Sequence, residues 1–211
     1  MEKNKNISMA VVRRMPKYYR YLEELIKIDV DVISSQELGK KIGFTASKIR
    51  QDLNCFGDFG QQGYGYNVKE LYKQIKSILG LDKGYKAVVV GAGNIGQAIS
   101  NYTRFDKLGF KIERMFDANP KLIGMKIRDI QIDDIDSINS FLESQNIDIG
   151  IICVPKKNAQ AVAEKLIEGD IRALWNFAPI DLIVPNNVNV QNVHLSESLQ
   201  TLIYLLNESE S

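Results

Sequence analysis

The sequence contains few of the residues that build metal sites, disulfide frameworks or membrane spans. Its 211 residues include one histidine and two cysteines, Cys55 and Cys153, which lie in different segments with no CxxC motif. These numbers support neither a disulfide framework nor a Cys/His zinc site. No apolar run approaches the roughly 20 residues of a membrane span, and the basic N-terminus lacks the apolar core of a secretory signal. We therefore expect a cytoplasmic protein that holds no metal and contacts no membrane.

Positive charge is concentrated near the N-terminus, although the net charge of the chain is only +1. Residues 1–80 contain 14 Lys and Arg against 9 Asp and Glu, whereas the rest of the chain contains 13 against 17. This distribution is what a nucleic-acid-binding module joined to a neutral or acidic domain would show.

Helical spacing in the N-terminal part of the chain predicts a helix-turn-helix. Pro16 can occupy the first turn of a supporting helix, and Ser34 with Glu37 forms a capping box for a short second helix. Gly43 can end that helix, and Thr45 can cap a third helix directly after it. Three helices with so short a turn between the last two are typical of helix-turn-helix proteins.

A glycine-rich segment follows the third helix. Residues 57–65 place four glycines among aromatic residues, which favours a tight hairpin over a helix because glycine is costly within a helix. We interpret this hairpin as the wing of a winged helix, followed by one more helix at residues 68–79.

The residues expected to contact DNA lie on two helices and the wing. The outward face of the third helix carries side chains that can reach phosphates or base edges in the major groove. A solvated helix face is the alternative, and the basic cluster on the supporting helix together with the wing favours DNA. The candidates are Arg13, Arg14, Lys17, Tyr18, Thr45, Ser47, Lys48, Arg50, Gln51, Gln62 and Tyr64.

From Tyr85 onward, strand-like and helix-like patterns alternate, which predicts an α/β fold with a parallel sheet. The predicted strands are 87–90, 111–116, 149–154 and 173–177, and the predicted helices are 94–104 and 159–168.

The first of these strands ends in a glycine loop. Gly91, Gly93 and Gly96 have the G-x-G-x-x-G spacing, which permits a tight turn and close approach of a dinucleotide pyrophosphate. Asp117, at the end of the next strand, can accept hydrogen bonds from ribose hydroxyls and favours NAD(H) over NADP(H). The alternative is a glycine turn that binds no nucleotide.

Little in the sequence indicates catalysis. A nicotinamide dehydrogenase needs an acid–base residue beside the transferred hydride, and His194 is the only histidine, in a chain too short for a separate substrate domain. We therefore expect a sensor and not an enzyme. The rival interpretation is a small NAD-dependent oxidoreductase or CoA-binding protein whose N-terminal helices serve dimerisation.

The C-terminal segment, residues 196–211, predicts a helix that is apolar around most of its circumference. Such a helix is buried on more than one side. It packs either against a second subunit or along the sheet of its own domain.

Several segments in combination resemble one family. RRMPKYYRYL, SSQELGKKIGFTASKIRQDLNCFGDFGQQGYGYNV, VVVGAGNIGQAISNY, FDANP, IICVP and WNFAP resemble the Rex redox-sensing transcriptional repressors over nearly the whole chain. The resemblance implies a homodimer with a winged-helix DNA-binding domain at 1–80, a Rossmann-like domain at 85–195 and a swapped C-terminal dimerisation helix at 196–211. It also implies a repressor that senses the NADH/NAD ratio and leaves its palindromic operator DNA when NADH binds.

The same resemblance implies a binding site for NADH and NAD and shows two departures. The implied site residues are Gly91, Ala92, Gly93, Asn94, Ile95, Gly96, Tyr102, Asp117, Cys153, Val154, Pro155, Asn176, Phe177, Ala178 and Pro179. At the wing tip Gln62 stands where many members carry a basic residue. His194 stands where other members place an aspartate that pairs with a tyrosine or an arginine, here Tyr102 or Arg20.

Overall fold

The computed structural model describes residues 7–57, 59–60 and 64–209, and the chain divides after Lys83 into two compact units. The first unit is mainly helical. In chain order its elements are α1 (Met9–Val12), α2 (Met15–Lys27), β1 (Val32–Ile33), α3 (Ser35–Ile42), α4 (Ala46–Asn54), β2 (Tyr66–Asn67) and α5 (Val68–Ile78).

The helix boundaries of the first unit follow from local capping. The Ser34 hydroxyl accepts the amide of Glu37, whose carboxylate accepts the amide of Ser34, so the predicted capping box opens α3. Gly43 ends α3 with a φ of 78°, which favours glycine. The Thr45 hydroxyl accepts the amide of Lys48 and caps α4. The predicted helix-turn-helix is confirmed.

Close packing holds the two helices of this motif together. A Cβ on Gly39 would overlap the carbonyl oxygen of Phe44, so the turn can approach α3 only because position 39 is glycine. Ile49 and Leu53 of α4 are fully buried, as predicted, and α2 packs against both α3 and α5.

A short antiparallel ladder joins the segment before α3 to the segment before α5. Val32 pairs with Asn67, and Ile33 pairs with Tyr66. The sequence pattern indicated only a break between helices at this point, because two-residue strands leave no periodicity to detect. The tip of the predicted wing, with Gln62, lies outside the described residues.

The second unit is an α/β domain. Its elements are β3 (Tyr85–Val90), α6 (Asn94–Ser100), α7 (Arg104–Lys107), β4 (Phe110–Asp117), β5 (Lys126–Ile127), β6 (Ile130–Asp134), a 3-10 turn (Ile135–Ser137), α8 (Ile138–Ser144), β7 (Ile149–Ile152), α9 (Lys156–Glu168), β8 (Ala173–Asn176), β9 (Asn189–Asn192) and α10 (Leu195–Ser209).

Seven of the described strands form one sheet in the order β5-β6-β4-β3-β7-β8-β9. Strand β5 is antiparallel to β6, and the other pairings are parallel, which confirms the predicted parallel sheet. The order reverses direction between β3 and β7. Ligands of doubly wound sheets bind at this reversal, beyond the carboxyl ends of the strands.

The core of this unit lies on both faces of the sheet. One cluster packs β3 and β7 side chains against α8 and α9, and the other packs the opposite face of the same strands beneath the aromatic residues that follow α6. The fully buried run Ala87–Val90 explains why β3 was the plainest strand in the sequence.

Three predicted boundaries were wrong, and one of them is the start of α9, which lies at Lys156 and not at residue 159. Helix α6 ends at Ser100 and not at residue 104, and Tyr102 lies in the turn that follows it. Strand β7 ends at Ile152, because Cys153–Pro155 leaves the sheet to open α9.

Helix α10 is exposed along its whole described length. Its apolar side chains are between 49% and 65% exposed, and none is buried: Leu195, Leu199, Leu202, Ile203, Tyr204, Leu205 and Leu206. Helix α10 therefore does not pack along the sheet of its own domain. Within the described residues, no helix has the length and apolar content to cross a membrane.

Candidate functional site

A cleft of about 770 Å³ opens at the point where the strand order reverses. The glycine loop after β3 forms one wall, and the segment Cys153–Pro155 with the start of α9 forms the other. Ten of the residues predicted to bind the cofactor line this cleft: Gly91, Gly93, Asn94, Ile95, Asp117, Cys153, Val154, Pro155, Phe177 and Pro179.

A side chain at each of the three motif glycines would have a different structural effect. Gly91 has a φ of 102°, and a Cβ there would lie 2.5 Å from the carbonyl oxygen of Cys153, so the two loops can meet only at glycine. A Cβ on Gly96 would overlap the carbonyl oxygen of Gly91. A Cβ on Gly93 would meet no protein atom within 4 Å. Packing therefore requires Gly91 and Gly96, whereas Gly93 leaves open space beside the cleft.

Asp117 connects the glycine loop to the end of β4. One carboxylate oxygen accepts the amide of Ala92 at 2.6 Å, and the other accepts the amide of Asn119 at 2.8 Å. Each carboxylate oxygen offers two lone-pair sites. Asp117 can therefore hold the loop and still accept hydrogen bonds from a ligand hydroxyl.

Cys153 is a half-buried thiol in the wall of the cleft. Burial raises its pKa to about 12, so the thiol stays protonated at neutral pH and is a poor nucleophile. Cys153 therefore contributes shape and apolar surface to the cleft.

Asn176 shapes the cleft without lining it. Its side chain is fully buried, accepts the amide of Ala178 at 3.0 Å and donates to the carbonyl of Ile180 at 2.7 Å. These bonds fix the turn that carries Phe177 into the cleft, where the Phe177 ring lies 4.7 Å from the ring of Trp175.

Five of the predicted cofactor residues do not line the cleft. Ala92, Gly96, Asn176 and Ala178 are buried behind its walls. Tyr102 lines a different cavity, of about 240 Å³, where its ring lies edge-on to Phe105 at 4.9 Å. The prediction that Tyr102 lies on the helix after the glycine loop was wrong, because that helix ends two residues earlier; its place near the nicotinamide stays a prediction.

Sequence reasoning missed the polar side chains that α9 brings to the cleft. Lys157, Asn158 and Lys165 line it, and the Lys165 ammonium also lies 3.8 Å from a carboxylate oxygen of Asp136. Asn158 and Lys165 follow Lys157 by one and eight residues, a spacing that matches no sequence motif. The available signal was positional: the helix after the strand beside the glycine strand must begin at the same edge of the sheet.

His194 lies at the end of the last loop before α10. Its Nε2 is 3.6 Å from a carboxylate oxygen of Asp181, and its side chain is largely buried. The Nε2 atom thus faces an acid of the same unit.

The first unit offers a candidate DNA surface centred on α4. Ser47, Arg50 and Gln51 are exposed, Lys48 is partly exposed, and Thr45 lies at the N-terminus of the helix. Arg13 and Lys17 of the α1–α2 region are exposed, as is Tyr64 before β2, a residue that is 77% exposed.

Tyr18 was wrongly assigned to that surface, and Arg14, whose side chain is only 18% exposed, pairs with a buried acid. Tyr18 is fully buried, and its hydroxyl donates to Asp52 at 2.8 Å. Arg14 Nε and Nη2 donate to the two carboxylate oxygens of Asp52 at 2.6 and 2.7 Å. Sequence reasoning missed Asp52, a fully buried acid on α4, because its partners are 34 and 38 residues away and no local pattern joins them.

The pKa values reflect this network. Burial disfavours the charge of Asp52, but hydrogen bonds from Arg14 and Tyr18 and the charges of Arg14 and Lys48 outweigh it and lower the Asp52 pKa. Burial, and then the hydrogen bond to Asp52, raises the Tyr18 pKa. The hydrogen bond to Asp52 raises the Arg14 pKa. All three groups therefore hold their usual charge at neutral pH.

Among the described residues, no group of three or more His, Cys, Asp and Glu side chains could hold a metal ion. The chemistry available at the two sites is hydrogen bonding, charge pairing and apolar contact.

Comparison with known proteins matches both units. The family model "Putative DNA-binding protein N-terminus" matches residues 6–54, and the model "CoA binding domain" matches residues 82–180. The redox-sensing transcriptional repressor Rex of Clostridium beijerinckii is 76% identical over 211 residues, which cover 100% of each chain.

Solved structures of RSP, a Rex-family repressor, have the same fold. The complex of RSP with beta-NAD+ and operator DNA has a TM-score of 0.93 and 59% identity, covering 97% of this chain and 94% of that one. The complex with beta-NADH has a TM-score of 0.90 and 56% identity, covering 97% and 96%. On full-length similarity of this degree, the chain belongs to the Rex family of redox-sensing transcriptional repressors.

Proposed function

We propose that this protein is a transcriptional repressor that binds palindromic operator DNA and is released from it when NADH replaces NAD in the cleft of its second unit. The proposal rests on one observation: the loops of Gly91 and Cys153 meet at the reversal of strand order, where dinucleotides bind, and the same chain contains a helix-turn-helix. RSP, which binds NAD+, NADH and operator DNA, supports it.

The cofactor occupies the cleft with its pyrophosphate against the glycine loop. The open space at Gly93 lets the pyrophosphate approach backbone amides. Asp117 accepts the ribose hydroxyls and would meet a 2′-phosphate with like charge, so the site prefers NADH to NADPH. Lys157 and Lys165 supply positive charge to the same cleft.

The operator is bound by α4 in the major groove. Arg50 and Gln51 are exposed on α4 and are the side chains suited to guanine and adenine edges. Arg13, Lys17 and Lys48 supply charge for phosphates. Gln62, at the wing, provides no cation there.

The repressor works as a homodimer in the cytoplasm, and α10 is exchanged between the subunits. An exposed helix with seven large apolar side chains is unfavourable in water for a monomer. A palindromic operator requires two recognition helices related by a two-fold axis, which a homodimer supplies.

NADH and NAD change DNA affinity only if they bind two arrangements of the dimer with unequal affinity. The oxidised nicotinamide carries a positive charge that the reduced ring lacks. Phe177 and Pro155, in the wall of the cleft, provide apolar surface that favours the uncharged ring. No chemical step is needed, so the protein acts as a sensor and not as an enzyme.

The decisive experiment measures fluorescence anisotropy of a labelled AT-rich palindromic duplex at fixed protein, with NADH titrated against constant NAD. We expect loss of binding as NADH rises and recovery with excess NAD. NADPH should have little effect. Arg50→Met is the matched control, because it should bind NADH normally while losing the operator.

One outcome would contradict the proposal: NADH fluorescence that shows a saturated protein whose operator affinity has not changed. Consumption of NADH in the presence of an aldehyde or a 2-oxo acid would favour an oxidoreductase instead.

A further inference from the structure

We propose that Arg14 promotes operator binding indirectly, as a positioning residue that holds the recognition helix α4 through Asp52. The inference rests on the DNA-binding function proposed above. It concerns how α4 is oriented, and it removes Arg14 from the residues that contact phosphate.

The first support is the geometry at the C-terminal half of α4. Arg14 makes a bidentate pair with Asp52, and Tyr18 donates a third hydrogen bond to the same carboxylate. Charge-assisted bidentate pairs fix direction as well as distance. Since Asp52 is fully buried on α4, this pair sets the rotation of α4 relative to α2.

The second support is at the other end of α4, where the same residues of α2 contact the turn. The ring of Phe44, directly before the cap of α4, lies 6.3 Å from the ring of Tyr18 and 5.9 Å from Arg14 Cζ. Lys17 Nζ lies 4.9 Å from the same ring. Arg14 and Tyr18 therefore contact both the C-terminal half of α4 and the turn before it, which fixes how the helix axis is placed, while Arg50 Nη1 donates to the Ser35 hydroxyl of α3 at 2.8 Å.

The third support is what a phosphate contact would require. Arg14 has only 18% of its side chain exposed, and two of its three guanidinium nitrogens already donate to Asp52. Turning the guanidinium to a phosphate would leave the buried carboxylate with only the Lys48 ammonium, 3.9 Å away, as its cation, which is unfavourable. Arg13, its neighbour, is exposed and provides a matched comparison.

The test compares Arg14→Met, the double variant Arg14→Met with Asp52→Asn, and Arg13→Met. For each variant, operator affinity is measured from about 50 to 200 mM salt, where each phosphate contact contributes about 0.9 to the log–log slope. The same series with a non-specific duplex reports charge effects, and thermal unfolding reports the fold.

We expect Arg14→Met to lose at least about tenfold in operator affinity, because buried Asp52 then keeps only the Tyr18 hydroxyl and the Lys48 ammonium, 3.9 Å away, and the bidentate pair that orients α4 is gone. The double variant removes the buried charge and should fold, but it also lacks the pair that orients α4, so it should bind the operator more weakly than wild type with the wild-type slope. Arg13→Met should lower the slope by about 0.9 on both duplexes. If Arg14→Met is unfolded at the assay temperature, the inference is tested by the operator affinity and the salt slope of the double variant alone.

A slope lower by about 0.9 in either Arg14 variant would overturn the inference, because Arg14 would then contact a phosphate. A double variant that binds the operator as tightly as wild type would overturn it too, because the pair would then not position α4. Unfolding of the double variant would also overturn it, because Arg14 would then be needed for folding and not for placing α4. Failure of both wild type and Arg13→Met to bind any operator would instead refute the proposed function.

Discussion

Replacing Gly93 with alanine should weaken NADH binding while leaving the fold intact. Gly93 has a φ of −74° and a ψ of −169°, extended backbone that alanine adopts without strain. A Cβ there would meet no protein atom within 4 Å. We therefore expect the free energy of unfolding to change by less than about 0.5 kcal/mol.

The magnitude of the affinity loss follows from the contact that the added methyl group would block. Gly93 borders the cleft, in the space where a pyrophosphate would approach the loop amides. A hydrogen bond from an amide to a charged acceptor contributes about 1.5–3 kcal/mol. Loss of one such bond raises the Kd for NADH roughly 10- to 150-fold.

The assay pairs a fluorescence titration of NADH with thermal unfolding of the same sample. Gly96→Ala is the matched comparison, because its Cβ would overlap the carbonyl oxygen of Gly91. It should destabilise the protein by about 1–3 kcal/mol and lower the Tm by several degrees. A Gly93→Ala variant that binds NADH within about threefold of wild type, at an unchanged Tm, would refute the reasoning.

Three further predictions concern other parts of the molecule. Asp52→Asn should destabilise the first unit by about 3 kcal/mol at pH 7. Because the folded-state pKa of Asp52 is lowered, the stability that its carboxylate contributes is present above about pH 4 and is lost as the pH falls. The free energies of unfolding of wild type and variant, measured with urea, should therefore converge in acid. Leu202→Glu, on the exposed face of α10, should shift the protein from dimer to monomer in sedimentation velocity, and a variant that stays dimeric would contradict the assignment of α10. Cys153, whose pKa is raised to about 12, should react with iodoacetamide at pH 8 about a thousandfold more slowly than a free thiol. Peptide mass spectrometry measures this rate, and rapid labelling in the folded protein would contradict the placement of Cys153 in the wall of the cleft.

The features that could be predicted from the sequence depend on residues close together in the chain. The capping box of Ser34, the αL stop at Gly43 and the approach of Gly96 to the Gly91 carbonyl each involve atoms within a few residues, so local spacing reveals them. Strand β3 was predictable because its run of buried apolar residues needs no knowledge of its neighbours. Asp117 was placed by its distance from the glycine loop.

The features that could not be predicted depend on distant contacts. Tyr18 follows the apolar spacing of α2, and that spacing was the better guide, since only the fold shows its hydroxyl meeting Asp52. Arg14 belonged to a basic cluster whose members look alike in sequence. Lys157 and Lys165 reach the cleft through sheet order, which no single segment encodes.

The double use of Asp117 limits how the cofactor preference of this protein could be redesigned. The carboxylate that would exclude a 2′-phosphate also accepts the amides of Ala92 and Asn119. A neutral or basic replacement intended to admit NADPH would release the turn that carries the pyrophosphate at the same time. An engineer would have to supply a new acceptor for those two amides together with the new specificity residue, so a successful switch needs at least two coordinated substitutions.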